Sequence, residues 1–269
     1  MVLICKTQAG FQLAQNVKPD LSIIIPAYRE ELRIGRTLEE LFKFLVSNEL
    51  MSTLDVEVIV VSADSDDRTD EVVESFISKH DNLRLLRLGT RAGKGRDVRV
   101  GMLAAKGNAV IFMDADLATP LSHIPEFHEM VAKGSGVVIA TRNLRTHHPE
   151  ITRMIFSVVG NALYRILCGA WIEDSQCGFK MFSERAAKIC FDRATIDGWG
   201  FDMEILTIAR INNLQCKSVK IYDWSSVPGG SFDDSVIKNY IRSFFDLCYI
   251  AQGRVVGRYK SKQQSSAKL

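Results

Sequence analysis

Two carboxylates one residue apart, Asp114 and Asp116, are the residues most readily connected with chemistry. They follow the apolar run 110–113, which is typical of a buried parallel strand. Carboxylate oxygens at a strand end suit Mg²⁺ or Mn²⁺, because these ions keep few protein ligands and share the phosphate oxygens of a substrate. An Asp-rich turn after a strand would have the same residues, so the pair predicts a metal site only together with other features.

Three further segments place polar groups after predicted strands, and parallel strands end at one edge of an open sheet. Tyr28 and Glu30 follow the first strand. Asp64 follows the second, where its carboxylate could hold a nucleobase or ribose, or form an Asx turn. The convergence of these segments with the carboxylate pair predicts a ligand site at this edge.

The third of these segments, residues 89–95, is basic and rich in glycine. It departs from the P-loop and dinucleotide-binding patterns. Gly93 and Gly95 could free backbone N–H groups for an anion, and Lys94 offers a cation where a helix begins. A basic surface turn is the alternative interpretation.

These residues require elements that bring strand ends together. Apolar strands alternate with amphipathic helices, which predicts βαβ units and a mostly parallel α/β sheet. The expected strands lie near residues 21–25, 56–61, 83–88, 110–113, 137–140, 179–182 and 217–222. The expected helices lie near residues 30–47, 69–79, 96–105, 121–133, 151–168, 183–191, 201–211 and 235–251.

Composition limits the class of protein. The 269 residues are 46% hydrophobic and 25% charged, with a net charge of +2, which is ordinary for a soluble globular chain and gives no reason to expect nucleic acid as a partner. The six cysteines lack Cys-x-x-Cys spacing, so we expect reduced thiols in a cytoplasmic protein. No signal peptide is expected, and no apolar run reaches the roughly 18 residues that span a bilayer.

Four motifs in fixed order resemble glycosyltransferase family 2 of the GT-A fold: Ile25–Glu31, Gly93–Gly95, Met113–Pro120 and Asp174–Lys180. The resemblance covers about residues 21 to 222 and is strongest to dolichyl-phosphate glucosyltransferases, with the mannose synthases next. It implies a Rossmann-like, mostly parallel sheet flanked by helices. It also implies transfer of a hexose, with inversion, from a nucleotide sugar to a polyprenyl or dolichyl phosphate.

The resemblance also implies roles for residues on the donor side. Asp114 and Asp116 would contact the ribose and a divalent metal, Mg²⁺ or Mn²⁺, with Asp116 the main ligand. Pro26, Tyr28 and Glu30 would border the base. A metal is chemically apt here, because the departing nucleoside diphosphate needs its charge neutralised.

On the acceptor side, the resemblance implies that Arg142 and Arg153 bind the acceptor phosphate, with Lys180 as a further phosphate contact. Planar guanidinium groups suit this role, although solvated surface arginines are the default interpretation. Asp174 would lie near the donor sugar. A phosphate monoester, with a second pKa of about 6, is already mostly ionised at neutral pH, so we expect Asp174 to position substrate rather than act as a base.

Another catalytic candidate is Glu204, two residues after Asp202 at the start of a predicted helix. A favourable interaction with the helix dipole accounts for Asp202. Family members usually carry adjacent acids after the second strand, but Ser62 and Ala63 stand there, which leaves uridine or guanosine selectivity open. UDP-glucose is the favoured donor, and a GDP-mannose-dependent mannose synthase is an alternative. A soluble acceptor and a non-catalytic nucleotide-sugar-binding module are the others.

We expect a lead-in (1–20), a GT-A domain (21–232, with a donor half to about 120 and an acceptor half beyond it), an amphipathic helix (233–258) and a disordered tail (259–269). The helix pattern predicts either packing on the core or peripheral contact with anionic lipid at the cytosolic membrane face. The final residues, Ala267–Leu269, differ by one residue from the peroxisomal signal Ser-Lys-Leu, a match of low specificity.

Overall fold

The computed structural model describes residues 18–142, 164, 166–169, 174–225 and 236–260, with only the backbone for 236–241. Several predictions fall outside these ranges. They concern Arg153, most of the helix predicted at 151–168, and the tail beyond residue 260.

Seven strands form one sheet in the order β3-β2-β1-β4-β6-β5-β7. In chain order they are β1 (Leu21–Ala27), β2 (Val56–Ser62), β3 (Leu83–Arg87), β4 (Ala109–Met113), β5 (Val137–Arg142), β6 (Phe179–Ser183) and β7 (Cys216–Ile221). Strand β6 is antiparallel to β4 and β5, and the other neighbours pair in parallel. The mostly parallel sheet is confirmed. Because it is continuous, the predicted division into donor and acceptor halves stays a prediction.

Helices cover both faces of the sheet. They are α1 (Ile34–Ser47), α2 (Thr69–Ile77), α3 (Lys94–Ala104), α4 (Ile124–Ala132), α5 (Glu184–Phe191), α6 (Phe201–Ile211) and α7 (Val236–Val255). Helices α1, α2 and α4 pack in one apolar cluster, and α3, α5, α6 and α7 pack in another. Within the described ranges, no helix combines the length and apolar character needed to cross a membrane.

Alternation along β1 explains how one strand serves both clusters. Ile23 and Ile25 belong to the cluster with α1, whereas Ile24 belongs to the cluster with α3, and all three are fully buried. The strand continues through Pro26 to Ala27, two residues beyond its predicted end. Pairing with β4 involves only residues 21–24, so the missing N–H of proline lies beyond that ladder.

Candidate active site

The sheet edge at which β1, β2 and β4 end carries unusual backbone conformations. Three residues with side chains adopt a positive φ in the segments after these strands: Arg29 (56°), Asp64 (46°) and Leu117 (55°). This region is unfavourable for residues other than glycine and is enriched at ligand sites. The positive φ of Arg29 also explains why α1 begins at Ile34 rather than at Glu30.

Asp114 is held firmly at this edge. Its backbone N–H donates to the Gly178 carbonyl at 3.2 Å. A Cβ atom at position 178 would lie 1.9 Å from Asp114 Oδ2, so only glycine fits beneath this carboxylate. The Lys94 ammonium donates to Asp114 Oδ1. The structure therefore brings together two of the predicted donor-side residues, which lie 20 positions apart in the chain.

The environment of Lys94 favours its charged form. Burial opposes the charge, but Asp114, Asp202 and Asp116 act in the other direction, so the pKa of the ammonium lies above its ordinary value. The ammonium also lies 5.2 Å from the centroid of the Trp199 ring. Lys94 is thus a firm cation at the sheet edge.

The glycines beside Lys94 serve a purpose other than the predicted anion cradle. The N–H groups of Gly95 and Arg96 already donate to the Asp197 carbonyl, at 2.8 and 3.3 Å. A Cβ atom on Gly93, whose φ is 137°, would lie 2.4 Å from the same oxygen. These glycines permit close packing of α3 against the segment before α6, and the cradle prediction is wrong for these two N–H groups.

Asp116 and Glu30 complete a group of three carboxylates with Asp114. Asp116 is partly exposed, and its Oδ1 accepts the Ala118 N–H at 3.0 Å. Burial raises the pKa of the Glu30 carboxyl, Arg33 opposes the shift, and Asp116 and Asp114 add to it. The shared negative field fits a divalent cation. Among the described residues, no three metal-ligating side chains form a complete protein site, so a cation here would need further ligands.

Tyr28 lies at the same edge beside two arginines. The guanidinium carbon of Arg91 is 3.6 Å from the centroid of the Tyr28 ring, and that of Arg29 is 5.3 Å away. Arg29 also forms a bidentate pair with Asp66, both distances being 2.6 Å. The sequence prediction missed Arg91, although its place in the basic segment 89–95 was a signal for it.

Asp97 is a second residue that the prediction missed. Its carboxylate is buried, and its Oδ1 has no hydrogen-bond partner in the described part of the chain. Burial raises its pKa to about 6, Arg91 and Arg96 oppose the shift, and Asp197 adds to it. Nothing in the sequence distinguishes this residue from a surface acid in the first turn of a helix.

Arg142 and Asp174 form a bidentate ion pair. Arg142 Nε lies 2.6 Å from Asp174 Oδ2, and Nη2 lies 3.0 Å from Oδ1. Burial opposes ionisation of Asp174, but the bonds from Arg142 outweigh it and lower the pKa of the carboxyl. The pair brings a predicted phosphate ligand and a predicted sugar-side acid together, in contact with each other.

The prediction for Lys180 requires correction. Its side chain is fully buried in β6, where the ammonium donates to the Cys177 carbonyl at 2.5 Å and to Asp202 Oδ1. An ammonium held by internal partners is not placed to bind an acceptor phosphate. Asp202 has a larger part than the predicted dipole interaction. Burial raises the pKa of its carboxyl, while Lys180 and Lys94 oppose the shift.

Glu204 also lies away from solvent, in contrast to its predicted catalytic role. Its oxygens accept the N–H groups of Thr195 and Ile196 and the Thr195 hydroxyl, each at 2.8 Å, and the Tyr259 hydroxyl at 2.9 Å. The carboxylate is fully buried. This arrangement makes Glu204 a structural residue that ties α6 to the segment before it and to the chain beyond α7.

Comparison with known proteins agrees with this architecture. Residues 22–189 match the model of "Glycosyl transferase family 2". Dolichyl-phosphate beta-glucosyltransferases of Drosophila melanogaster and Dictyostelium discoideum are 32% and 31% identical over 240 and 254 residues. These alignments cover 83% and 90% of this chain and 72% and 77% of the relatives.

The fold has solved counterparts. A glucosyl-3-phosphoglycerate synthase from Mycobacterium tuberculosis, solved with Mn²⁺, UDP and phosphoglyceric acid, superimposes with a TM-score of 0.59 at 16% identity. The superposition covers 87% of this chain and 78% of the synthase. The family match over residues 22–189 and the relatives above 30% identity lead to one conclusion: the chain belongs to glycosyl transferase family 2.

Proposed function

We propose that this glycosyltransferase moves glucose from UDP-glucose to a dolichyl or other polyprenyl phosphate, with Mg²⁺ or Mn²⁺ as cofactor. The observation that carries the proposal is the grouping of Glu30, Asp114 and Asp116 beside Lys94 at one sheet edge. The names of the relatives support the sugar and the lipid acceptor. The solved neighbours with UDP and Mn²⁺ or Mg²⁺ motivate the choice of nucleotide and metals.

The residues at the edge suit each part of this reaction. Asp116 and Asp114 would hold the divalent cation, which supplies positive charge for the departing diphosphate. Pro26, Tyr28 and Asp64 would border the nucleoside. The acceptor phosphate is mostly ionised at neutral pH and needs little help from a base.

On the acceptor side, Arg142 and Arg153 would contact the phosphate, and Asp174 would position Arg142 through the bidentate pair. Arginine suits a phosphate because its planar donors bind two oxygens at once. Replacement of Asp174 by Asn should therefore raise the KM for the lipid acceptor more than the KM for the nucleotide sugar.

Sugar transfer into an organic phase tests the proposal. The protein is incubated with Mn²⁺, a polyprenyl phosphate and labelled UDP-glucose, with labelled GDP-mannose in a parallel reaction. Lipid-phase label from UDP-glucose supports the proposal. Label from GDP-mannose alone identifies a mannose synthase, which Ser62 and Ala63 leave open. Release of free nucleoside diphosphate without lipid label indicates a soluble acceptor, and inactivity with both donors favours a binding module.

We also propose that α7 makes peripheral contact with an anionic membrane. Leu247 and Ile250 face the core, but large apolar side chains on other faces of α7 and just beyond it are exposed: Phe244 (48%), Phe245 (66%), Val255 (86%) and Val256 (65%). Arg254 and Arg258 lie nearby and would meet anionic headgroups.

Co-sedimentation with vesicles tests this contact. Phe245→Asp should reduce binding to anionic vesicles, whereas Leu32→Asp, at an equally exposed apolar position next to α1, should not. Equal binding of both variants and the unchanged protein would contradict the contact. Glucose transfer to a short, water-soluble polyprenyl phosphate should survive Phe245→Asp.

A further inference from the structure

We propose that Lys94 and the divalent cation compete for Asp114, and that the diphosphate of the nucleotide relieves this competition by drawing the ammonium onto itself. The inference rests on the proposed function and adds a role for Lys94 that goes beyond donor binding. Lys94 would couple binding of the metal to binding of the nucleotide.

The contacts of Asp114 make it the fixed partner of the pair. Its carboxylate packs directly over Gly178, where even a methyl group would collide with it, and its backbone N–H bonds to the same residue. Lys94 is the partner that can move, because its charge sits at the end of a flexible four-carbon chain with three rotatable donors.

The pair also opens toward solvent. The side chains of Lys94 and Asp114 are 17% and 36% exposed, so a ligand can reach both. The opposite charges of Asp202 and Asp116 also act on the Lys94 ammonium. An ammonium that leaves Asp114 therefore remains in a favourable negative field, which keeps the exchange of partners inexpensive.

Opposite effects on two ligands follow from this geometry. The positive charge of Lys94 repels a dication that approaches Asp114 and attracts an anionic diphosphate. Because coupling between two ligands is reciprocal, each should bind more tightly in the presence of the other. Removal of the ammonium should strengthen Mn²⁺ binding alone and weaken UDP binding in the absence of metal. A residue with only a structural role would weaken both when replaced.

The experiment compares four proteins: the unchanged chain, Lys94→Met, Lys94→Arg and Lys106→Met. Lys106 provides a matched loss of charge, because it is exposed and precedes β4 at the opposite end of the sheet. Mn²⁺ affinity without nucleotide is measured by electron paramagnetic resonance of the free ion. UDP affinity in EDTA is measured by calorimetry. Lys94→Gln replaces Lys94→Met if thermal unfolding shows that methionine disrupts the fold.

Lys94→Met should bind Mn²⁺ about tenfold more tightly and UDP about tenfold more weakly, a size typical of coupling between sites. Lys94→Arg and Lys106→Met should behave like the unchanged protein. Unaltered or weaker Mn²⁺ binding by Lys94→Met would overturn the inference and leave the proposed function standing. If the unchanged protein binds no Mn²⁺ even with UDP, the metal-dependent function fails, and the inference fails with it.

Discussion

Two lysine–aspartate pairs in this protein have the same chemistry and different surroundings. Lys94 and Asp114 lie at the sheet edge, with side chains 17% and 36% exposed. Lys180 and Asp202 lie in the interior, with side chains 0% and 4% exposed. The comparison teaches that access to solvent, rather than residue type, separates a pair that can exchange partners with a ligand from a pair that holds the fold together.

The buried pair should give the largest effect on stability. Asp202→Ala leaves the Lys180 ammonium without its carboxylate in a dry environment, and loss of one partner of a buried pair costs about 3–5 kcal/mol of unfolding free energy. Urea unfolding measures this loss. The double variant Lys180→Met with Asp202→Leu should recover most of it, because no unpaired charge remains. A loss below about 1 kcal/mol for Asp202→Ala would contradict the structural assignment.

The exposed site should respond in the opposite way. Asp116→Ala should lower glucose transfer by at least about 100-fold, close to 3 kcal/mol of transition-state stabilisation, because the cation loses its main protein ligand. Its unfolding free energy should change little, since the side chain is partly exposed and bonds only to a neighbouring N–H among its printed contacts. The comparison fails if this variant keeps normal transfer rates.

Glu204 offers a sharper form of the same contrast. In Glu204→Gln, an amide NH₂ group replaces one acceptor oxygen and faces donors from Thr195, Ile196 and Tyr259. We expect a loss of about 2 kcal/mol in unfolding free energy. At temperatures where the variant stays folded, its kcat should be close to normal. A large fall in kcat with unchanged stability would restore the predicted catalytic role.

Asp97 should give the smallest effect, and one that depends on pH. Its folded-state pKa of about 6 exceeds the ordinary value of 3.8, so between these values the folded protein holds a proton that the unfolded chain releases. Stability should therefore fall as the pH rises from about 4 to about 6. Asp97→Asn should remove this dependence and stabilise the fold by about 1 kcal/mol at neutral pH. Chemical unfolding at two pH values tests it, and an equal effect at both would contradict the assignment.

The sequence was informative about the strands and the edge because those features are local. Apolar runs predicted β1, β2 and β4 within about two residues, and polar residues directly after them predicted the carboxylate group. The positions of Asp114, Asp116 and Glu30 then follow from parallel pairing alone. Helix α6 was predicted at its observed bounds for a similar reason, since its apolar pattern is unbroken.

The misassigned residues depend on distant partners. Lys180 lies on β6, which is inserted between β4 and β5, and no local pattern shows that this strand is covered on both faces. Glu204 bonds to Tyr259, 55 positions away, and the pairing of Arg142 with Asp174 spans 32 positions. Burial created by such contacts decides whether a charged side chain serves a site or the fold, and spacing in the sequence does not contain it.

Paramagnetic broadening by Mn²⁺ in the presence of UDP tests the central claim most directly, because it locates the cation. In an amide-resolved NMR spectrum, signals of Glu30, Asp114 and Asp116 should broaden at substoichiometric Mn²⁺, while those of α5, beside the opposite end of β4, should persist. Asp116→Ala should abolish the selective broadening. Broadening that is absent, or that affects α5 as strongly as the carboxylates, would contradict a metal and nucleotide site at this sheet edge.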